Sequence, residues 1–267
     1  MDDLNFQIEQ ILPWFTHEHE APYVLVRVTA DHANAWAQTL GIAVRRCYIT
    51  DELLQSRAEA LGVSREDILA SKLPDAGSTM SGDFGEIIVY FYQSAKEHPN
   101  TTFGPKKWRL KQDRTKPAPL SDVVHFHLPQ WPTATANDAI LCSEVKTKST
   151  DSNFNPIARA FEDCAKYRTT PLAKTLLWLR ARAMGETLGD VEIAHLNRFI
   201  NATDFPTAQK RFRAVAVVCA NLLEGELPNA PQVISPDYTV VIISVPQLQQ
   251  TYTAMFDAVR ASATDEL

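Results

Sequence analysis

The chain has 267 residues, 45% of them hydrophobic, so it can bury a sizeable core, and its 9 Gly and 16 Pro argue against long disordered tracts. Its apolar runs, such as Ala214 to Ala220 and Val240 to Val245, are too short to span a bilayer. A formal charge of −6 argues against a protein that binds nucleic acid through its whole surface.

Taken in chain order, Tyr23 to Val28 is β-branched and bounded by Pro22 and Asp31, which predicts a strand. Thr50 caps an expected helix that runs to Leu61-Gly62, and Ser64-Arg-Glu-Asp67 opens another that ends near Pro74. Gly77 to Gly82 has the composition of a loop. It leads into Asp83–Lys96, where Phe84, Ile87, Ile88, Phe91 and Tyr92 follow helical spacing. A polar connection with four prolines covers 97–120, and strands follow at about 121–127 and 138–146. Asn155-Pro156 opens a helix to about Arg168, Thr170-Pro171 a second to Met184-Gly185, and Val191 to Ile200 a third. Arg213–Cys219 and Thr239–Ser244 are near-continuously apolar, as strands buried on both faces are, and an amphipathic helix through Leu248, Tyr252, Met255, Phe256 and Val259 closes the chain. The class is α/β. We expect one domain over 1–267, with an N-terminal α/β extension at 1–75, a core at about 76–220 and a C-terminal strand and helix at 221–267.

The chemistry concentrates in Ser121-Asp122-Val-Val and Ser143-Glu144-Val145-Lys146. Strand side chains alternate, so Glu144 and Lys146 share a face with Ile140 and Cys142, and that face turns from apolar to charged at its end. Mg²⁺ seeks oxygen ligands, commonly one or two carboxylates with waters and a phosphate. Asp122 and Glu144 are its expected ligands, with the Val145 carbonyl as a third and Mn²⁺ able to substitute. Glu86, arriving from the preceding helix, would hold a second ion or a metal-bound water. Lys146 would lower the pKa of the attacking water or neutralise charge building on phosphorus. Singly these residues have plainer readings: Asp122 as a turn cap, Glu86 as a first-turn helix acid, and Glu144 with Lys146 as an exposed ion-pair rung.

Glu on a helix, Asp on a strand and Glu-x-Lys on the next resembles the PD-(D/E)xK restriction-endonuclease-like superfamily, here Glu86, Asp122, Glu144 and Lys146. That resemblance implies a restriction-endonuclease-like mixed β-sheet core flanked by helices, covering about 80–170. Ser121 stands where the motif has proline, and Asp163-Cys-Ala-Lys-Tyr167 where RecB-like members carry Gln-x-x-x-Tyr. Gly82-Asp-Phe-Gly-Glu86-Ile-Ile, Pro105-Lys-Lys-Trp-Arg-Leu-Lys, Ser121-Asp122-Val-Val and Ser143-Glu144-Val-Lys146-Thr resemble the HamA family, nuclease subunits of Hachiman anti-phage defence. This resemblance implies a metal-dependent deoxyribonuclease paired with a superfamily 2 helicase (HamB-like), acting on DNA as part of a defence complex. The alternative is a catalytically inactive DNA-binding module that regulates the helicase; a third reading is an unrelated α/β protein.

Charge is graded along the chain. Residues 1–20 carry five acids and no base, which is wrong for a secretory signal, and residues 221–267 carry six acids and one base. The middle holds 25 bases against 21 acids. Six bases and one acid fall within 106–116, and Lys106, Lys107, Trp108, Arg109, Lys111 and Arg114 are the expected grip on DNA phosphates, with Trp108 stacking on a base or anchoring the loop in the core. The acidic ends are expected to face a partner or solvent. His125-x-His127 has same-face spacing but no nearby residue to complete a zinc site. Cys47, Cys142, Cys164 and Cys219 form no CxxC pair and read as reduced thiols of a cytoplasmic protein, and no phosphate loop or membrane segment occurs, so any ATP-driven step belongs to the partner.

Overall fold

A computed structural model describes residues 2–118, 121–167, 170–185 and 187–264. In chain order it contains β1 (Thr16–His19), β2 (Val24–Arg27), α1 (Ala30–Tyr48), α2 (Asp51–Leu61), α3 (Arg65–Ala70) and α4 (Ser78–Glu97). Then come β3 (Val123–His127), β4 (Ala139–Lys148), α5 (Pro156–Tyr167), α6 (Thr170–Ala183), α7 (Ile193–Ile200), β5 (Gln209–Cys219), α8 (Leu223–Glu226), β6 (Thr239–Val245) and α9 (Leu248–Ala261). Arg168, the expected end of α5, lies outside the described residues.

Local chemistry sets several of these bounds. The Thr50 hydroxyl accepts from the Leu53 amide at the start of α2, and Gly62 closes that helix in the left-handed region at φ 64°. The Ser64 hydroxyl accepts from Asp67 N to start α3, which ends at Ala70, short of Pro74. One boundary corrects the sequence reading. Ser78 to Gly82 is not a loop but the opening of α4, after Gly77 at φ 108°. Gly82 adds no side chain to this turn and Met80 and Ser81 are buried, so packing overrides a composition that favours loops.

The sheet runs β1-β2-β6-β5-β4-β3. The β2–β6, β6–β5 and β5–β4 pairs are parallel, and β1 and β3 close the two edges antiparallel. Its strands come from all three stretches of the chain, because β6 slots between β2 and β5. On one face Val145, Val215, Val217, Val241 and Ile243 pack with Trp36 and Leu40 of α1, Phe84 and Ile88 of α4, and Met255 and Phe256 of α9. On the other, Ala214, Ala216 and Val218 pack with Ile157, Ala160 and Cys164 of α5, while Phe126, Ile140 and Cys142 pack with Leu172, Leu176 and Leu179 of α6 and Phe199 of α7. The central strands are therefore covered on both sides, which accounts for their unbroken apolar text.

This sandwich points the antiparallel β3–β4 edge at the charged residues. In the ladder Val123 faces Ser143, so continuing the register by one residue sets Asp122 opposite Glu144.

Candidate active site

Four elements converge at the open end of the β3–β4 pair. Asp122 immediately precedes β3, and its Oδ2 accepts the Val145 amide at 2.7 Å. A strand residue's amide and carbonyl point the same way, so the Val145 carbonyl also faces this edge. Glu144 and Lys146 extend from β4 toward α5, where the Lys146 ammonium lies 3.3 Å from Asp163 Oδ2. Neither is an exposed rung: both are only partly accessible, and Cys142 and Ile140 behind them are buried.

Glu86 reaches the group from the other face of the sheet. It lies well inside α4, which begins at Ser78, and it is 5% exposed, so a first-turn dipole role does not apply. Its Oε2 accepts the Trp108 indole N–H at 3.1 Å and lies 3.4 Å from the Lys107 ammonium. That ammonium is also 3.8 Å from Asp122 Oδ1 and donates to the Ser121 carbonyl at 3.0 Å. Lys107 and Asp122 thus join the Glu86 side of the cluster to the Glu144 side.

Gly85 makes this approach possible. A Cβ there would lie 2.0 Å from Thr147 Oγ1 and 3.3 Å from the Thr147 Cβ, so α4 rests directly on β4 one residue before Glu86. Gly85→Ala is expected to cost about 1–3 kcal/mol through overpacking, a fall of several degrees in Tm by calorimetry. Thr147→Ala in the same chain should return most of it; a Gly85→Ala variant as stable as wild type would show that the helix can shift freely.

Burial raises the carboxyls. Glu86 is pushed up to about 8 by desolvation, with Lys107 opposing and Asp122 and Asp83 adding to the rise. Glu144 is likewise pushed up to about 8 by burial and then by Asp122, against Lys146 and Lys107. Burial works against the Lys146 charge, yet Asp122, Glu144 and Asp163 together hold its pKa above the usual lysine value. The sign for stability follows. Between about 4.5 and about 8 the unfolded chain gives up the Glu144 proton while the native chain keeps it, so stability falls as pH rises through that window. The stability of Glu144→Gln should therefore fall less than that of wild type between pH 5 and pH 8, by up to roughly 1.4 kcal/mol per pH unit, read as a smaller fall in Tm. Parallel curves for the two proteins in a calorimeter would remove Glu144 from the acidic cluster.

The expected phosphate grip does not fit the side-chain placements. The side chains of Lys106, Lys107, Trp108 and Lys111 are almost wholly buried and that of Arg109 nearly so, in and on either side of a short 3₁₀ turn (Lys107–Leu110) packed under α4. Trp108 anchors this turn in the core, the second of its two expected roles. The Lys111 ammonium lies 2.9 Å from Asp83 Oδ2, which also accepts the Tyr48 hydroxyl. Lys106 pairs with Asp3 and with Asp190 at 3.4 Å, and Arg109 pairs with Asp3 at 3.1 Å. Arg114 alone of the six is exposed, 2.7 Å from Asp75. Burial in a low-dielectric interior demands partners for these charges, and the partners are this chain's own acids. For the same reason the acidic ends are not all free: Asp3 is in this network, and Glu226 pairs with Lys148 at 2.6 Å.

His125 and His127 form no zinc site. His125 is fully buried against Tyr90 with Nδ1 3.3 Å from the Thr102 hydroxyl, and burial holds its pKa well below the usual value; His127 Nδ1 meets the Thr101 carbonyl. Among the described residues, no group of three or more His, Cys, Asp or Glu is arranged to hold a metal. A hard ion that keeps several waters needs only one or two carboxylates, however, and the all-oxygen donor set of Asp122, Glu144 and the Val145 carbonyl suits it. The Lys107 ammonium, held among three oxygens, shows that this end of the sheet already accommodates a cation.

Sequence reasoning did not single out Lys107 as part of the cluster, nor Asp163 as the partner of Lys146. The spacing of Asp163, on the helix that follows Glu-x-Lys, was the available sign. No helix among the described residues is long and apolar enough to cross a membrane. Comparison with curated proteins finds no match. The model of the HamA family matches residues 9–259, a span that includes Glu86, Asp122, Glu144 and Lys146, and the chain therefore belongs to the HamA family.

Proposed function

We propose that this chain is a divalent-metal-dependent deoxyribonuclease, the effector of a Hachiman anti-phage defence complex that works with a superfamily 2 helicase. HamA membership suggests the defence role. The observation that carries the nuclease reading is the placement of Asp122 opposite Glu144 at the end of an apolar face, with Lys146 beside them. The β3–β4–β5 sheet between α4 and α5 supports a restriction-endonuclease-like core.

In this reading Asp122, Glu144 and the Val145 carbonyl hold Mg²⁺, for which Mn²⁺ substitutes. When bound, the ion lowers the pKa of a water and draws charge from the phosphate oxygens. The Val145 amide fixes the Asp122 carboxylate, and Asp163 fixes the Lys146 ammonium, so neither side chain has to be ordered when DNA arrives. Lys146 stays charged, held so by Asp122, Glu144 and Asp163, and it neutralises the charge that builds on the phosphoryl oxygens of the pentacoordinate centre or orients the attacking water. A bound cation favours the ionised carboxylate, so loading the metal would offset the burial cost on Glu144, as Lys146 and Lys107 already do in part.

The test combines the chain, its helicase neighbour, ATP, Mg²⁺ and linear or plasmid DNA. DNA degradation that stops on chelation and returns with Mn²⁺ supports the reading. Intact DNA beside a functioning helicase would leave the chain a binding subunit that regulates its partner.

A further inference from the structure

Lys107 bears on how many ions the site takes. Its ammonium has three donors, and three oxygens surround it: the Ser121 carbonyl at 3.0 Å, Glu86 Oε2 at 3.4 Å and Asp122 Oδ1 at 3.8 Å. The side chain is 6% exposed, and Glu86 is also held by the Trp108 indole, so neither partner is loosely placed. Three oxygens around a buried, fixed positive charge make this half of the cluster a filled cation site.

We propose that the Lys107 ammonium is the resident cation of the Glu86–Asp122 half of the cluster, so that the site takes one divalent ion, on Asp122 and Glu144, and not two. This rests on the metal-dependent reading above. A lysine here supplies one unit of charge without requiring a second ion to be captured from solution. It does so at the cost of fixed geometry, since the ammonium cannot exchange waters or carry a nucleophile. Glu86 then acts on Lys107 and not on the ion, which makes it a positioning residue.

The test is Mn²⁺ titration of the full chain, followed by calorimetry and by the electron paramagnetic resonance of free Mn²⁺. Wild type should bind one ion, Lys107→Arg one and Glu86→Gln one, and Glu144→Gln should bind its ion at least tenfold more weakly. Lys107→Ala, which empties the ammonium from among its three oxygens, should bind two. Two ions on wild type, or a folded Lys107→Ala that still binds one, would overturn the proposal while leaving the metal-dependent reading standing. If Lys107→Ala does not fold by circular dichroism, Glu86→Gln decides: one ion retained supports the proposal, and loss of the ion overturns it. No ion on wild type would bring down both the metal-dependent reading and this inference.

Discussion

Glu144→Gln and Lys146→Ala are each expected to lower DNA hydrolysis by the helicase-assembled complex about 10²–10⁴-fold, with the fold intact. The two changes act on different steps. Glu144→Gln keeps the shape of the side chain but removes a negative ligand, so its loss should shrink as Mn²⁺ is raised. Lys146→Ala leaves Asp122 and Glu144 in place, so its deficit should persist at saturating metal. Lys146 also sits 3.3 Å from Asp163, and Asp163→Asn should reproduce part of the Lys146 deficit without touching the metal dependence. Because the residues act on one phosphate, the double variant should lose little more than the worse single. The readout is gel-resolved DNA loss over a metal series, with helicase ATPase as the control. Unchanged degradation in either variant, with metal and helicase present, would separate this sheet edge from the chemistry.

The parts of the fold that local chemistry determines were legible in the sequence, and the parts set by distant contacts were not. Thr50 and Gly62 bracket α2 as a cap and a left-handed stop, and β5 and β6 show their double burial as unbroken apolar text. The Asp122, Glu144 and Lys146 grouping could be anticipated because strand alternation and an antiparallel pair need only local periodicity. α1 drew no expectation, although Thr29 caps it and Trp36, Leu40, Val44 and Cys47 recur at helical spacing. The start of α4 was hidden by Ser and Gly, whose turn preference yields here to packing. Least legible was the direction of the basic stretch. A run of lysines reads as solvated unless buried acids await it, and those acids come from 1–5, from α4, from the edge of β3 and from Asp190, far apart in sequence. Periodicity carries no information about such meetings.

That reversal of the basic stretch yields the second large expected effect. Lys106→Met should destabilise the fold by about 3 kcal/mol, because it takes from half-buried Asp190 its cation and from Asp3 one of two, leaving Asp3 to Arg109 alone. The Lys106 side chain is fully buried, paired with Asp3 and Asp190, and its ammonium lies 5.2 Å from the centre of the Tyr90 ring. Arg109 shares Asp3 and also donates to the Arg46 carbonyl at 2.8 Å, so the lysine ties residues near the N-terminus to the floor beneath α4. The backbone is shaped to admit this: at Gly189, φ is 70°, and a Cβ there would lie 2.1 Å from Asp3 Oδ2. At about 2–4 °C per kcal/mol for a chain near this size, Lys106→Met should lower Tm by roughly 10 °C. Asp3→Asn in the Lys106→Met background should recover part of the loss, since it removes one of the charges the lysine had paired. The same measurements distinguish a strut from a phosphate grip. A residue that grips phosphate would leave Tm unchanged and reduce the salt slope of DNA binding by about one. A strut does the opposite, and among the six expected contacts only exposed Arg114 is placed to behave as a grip.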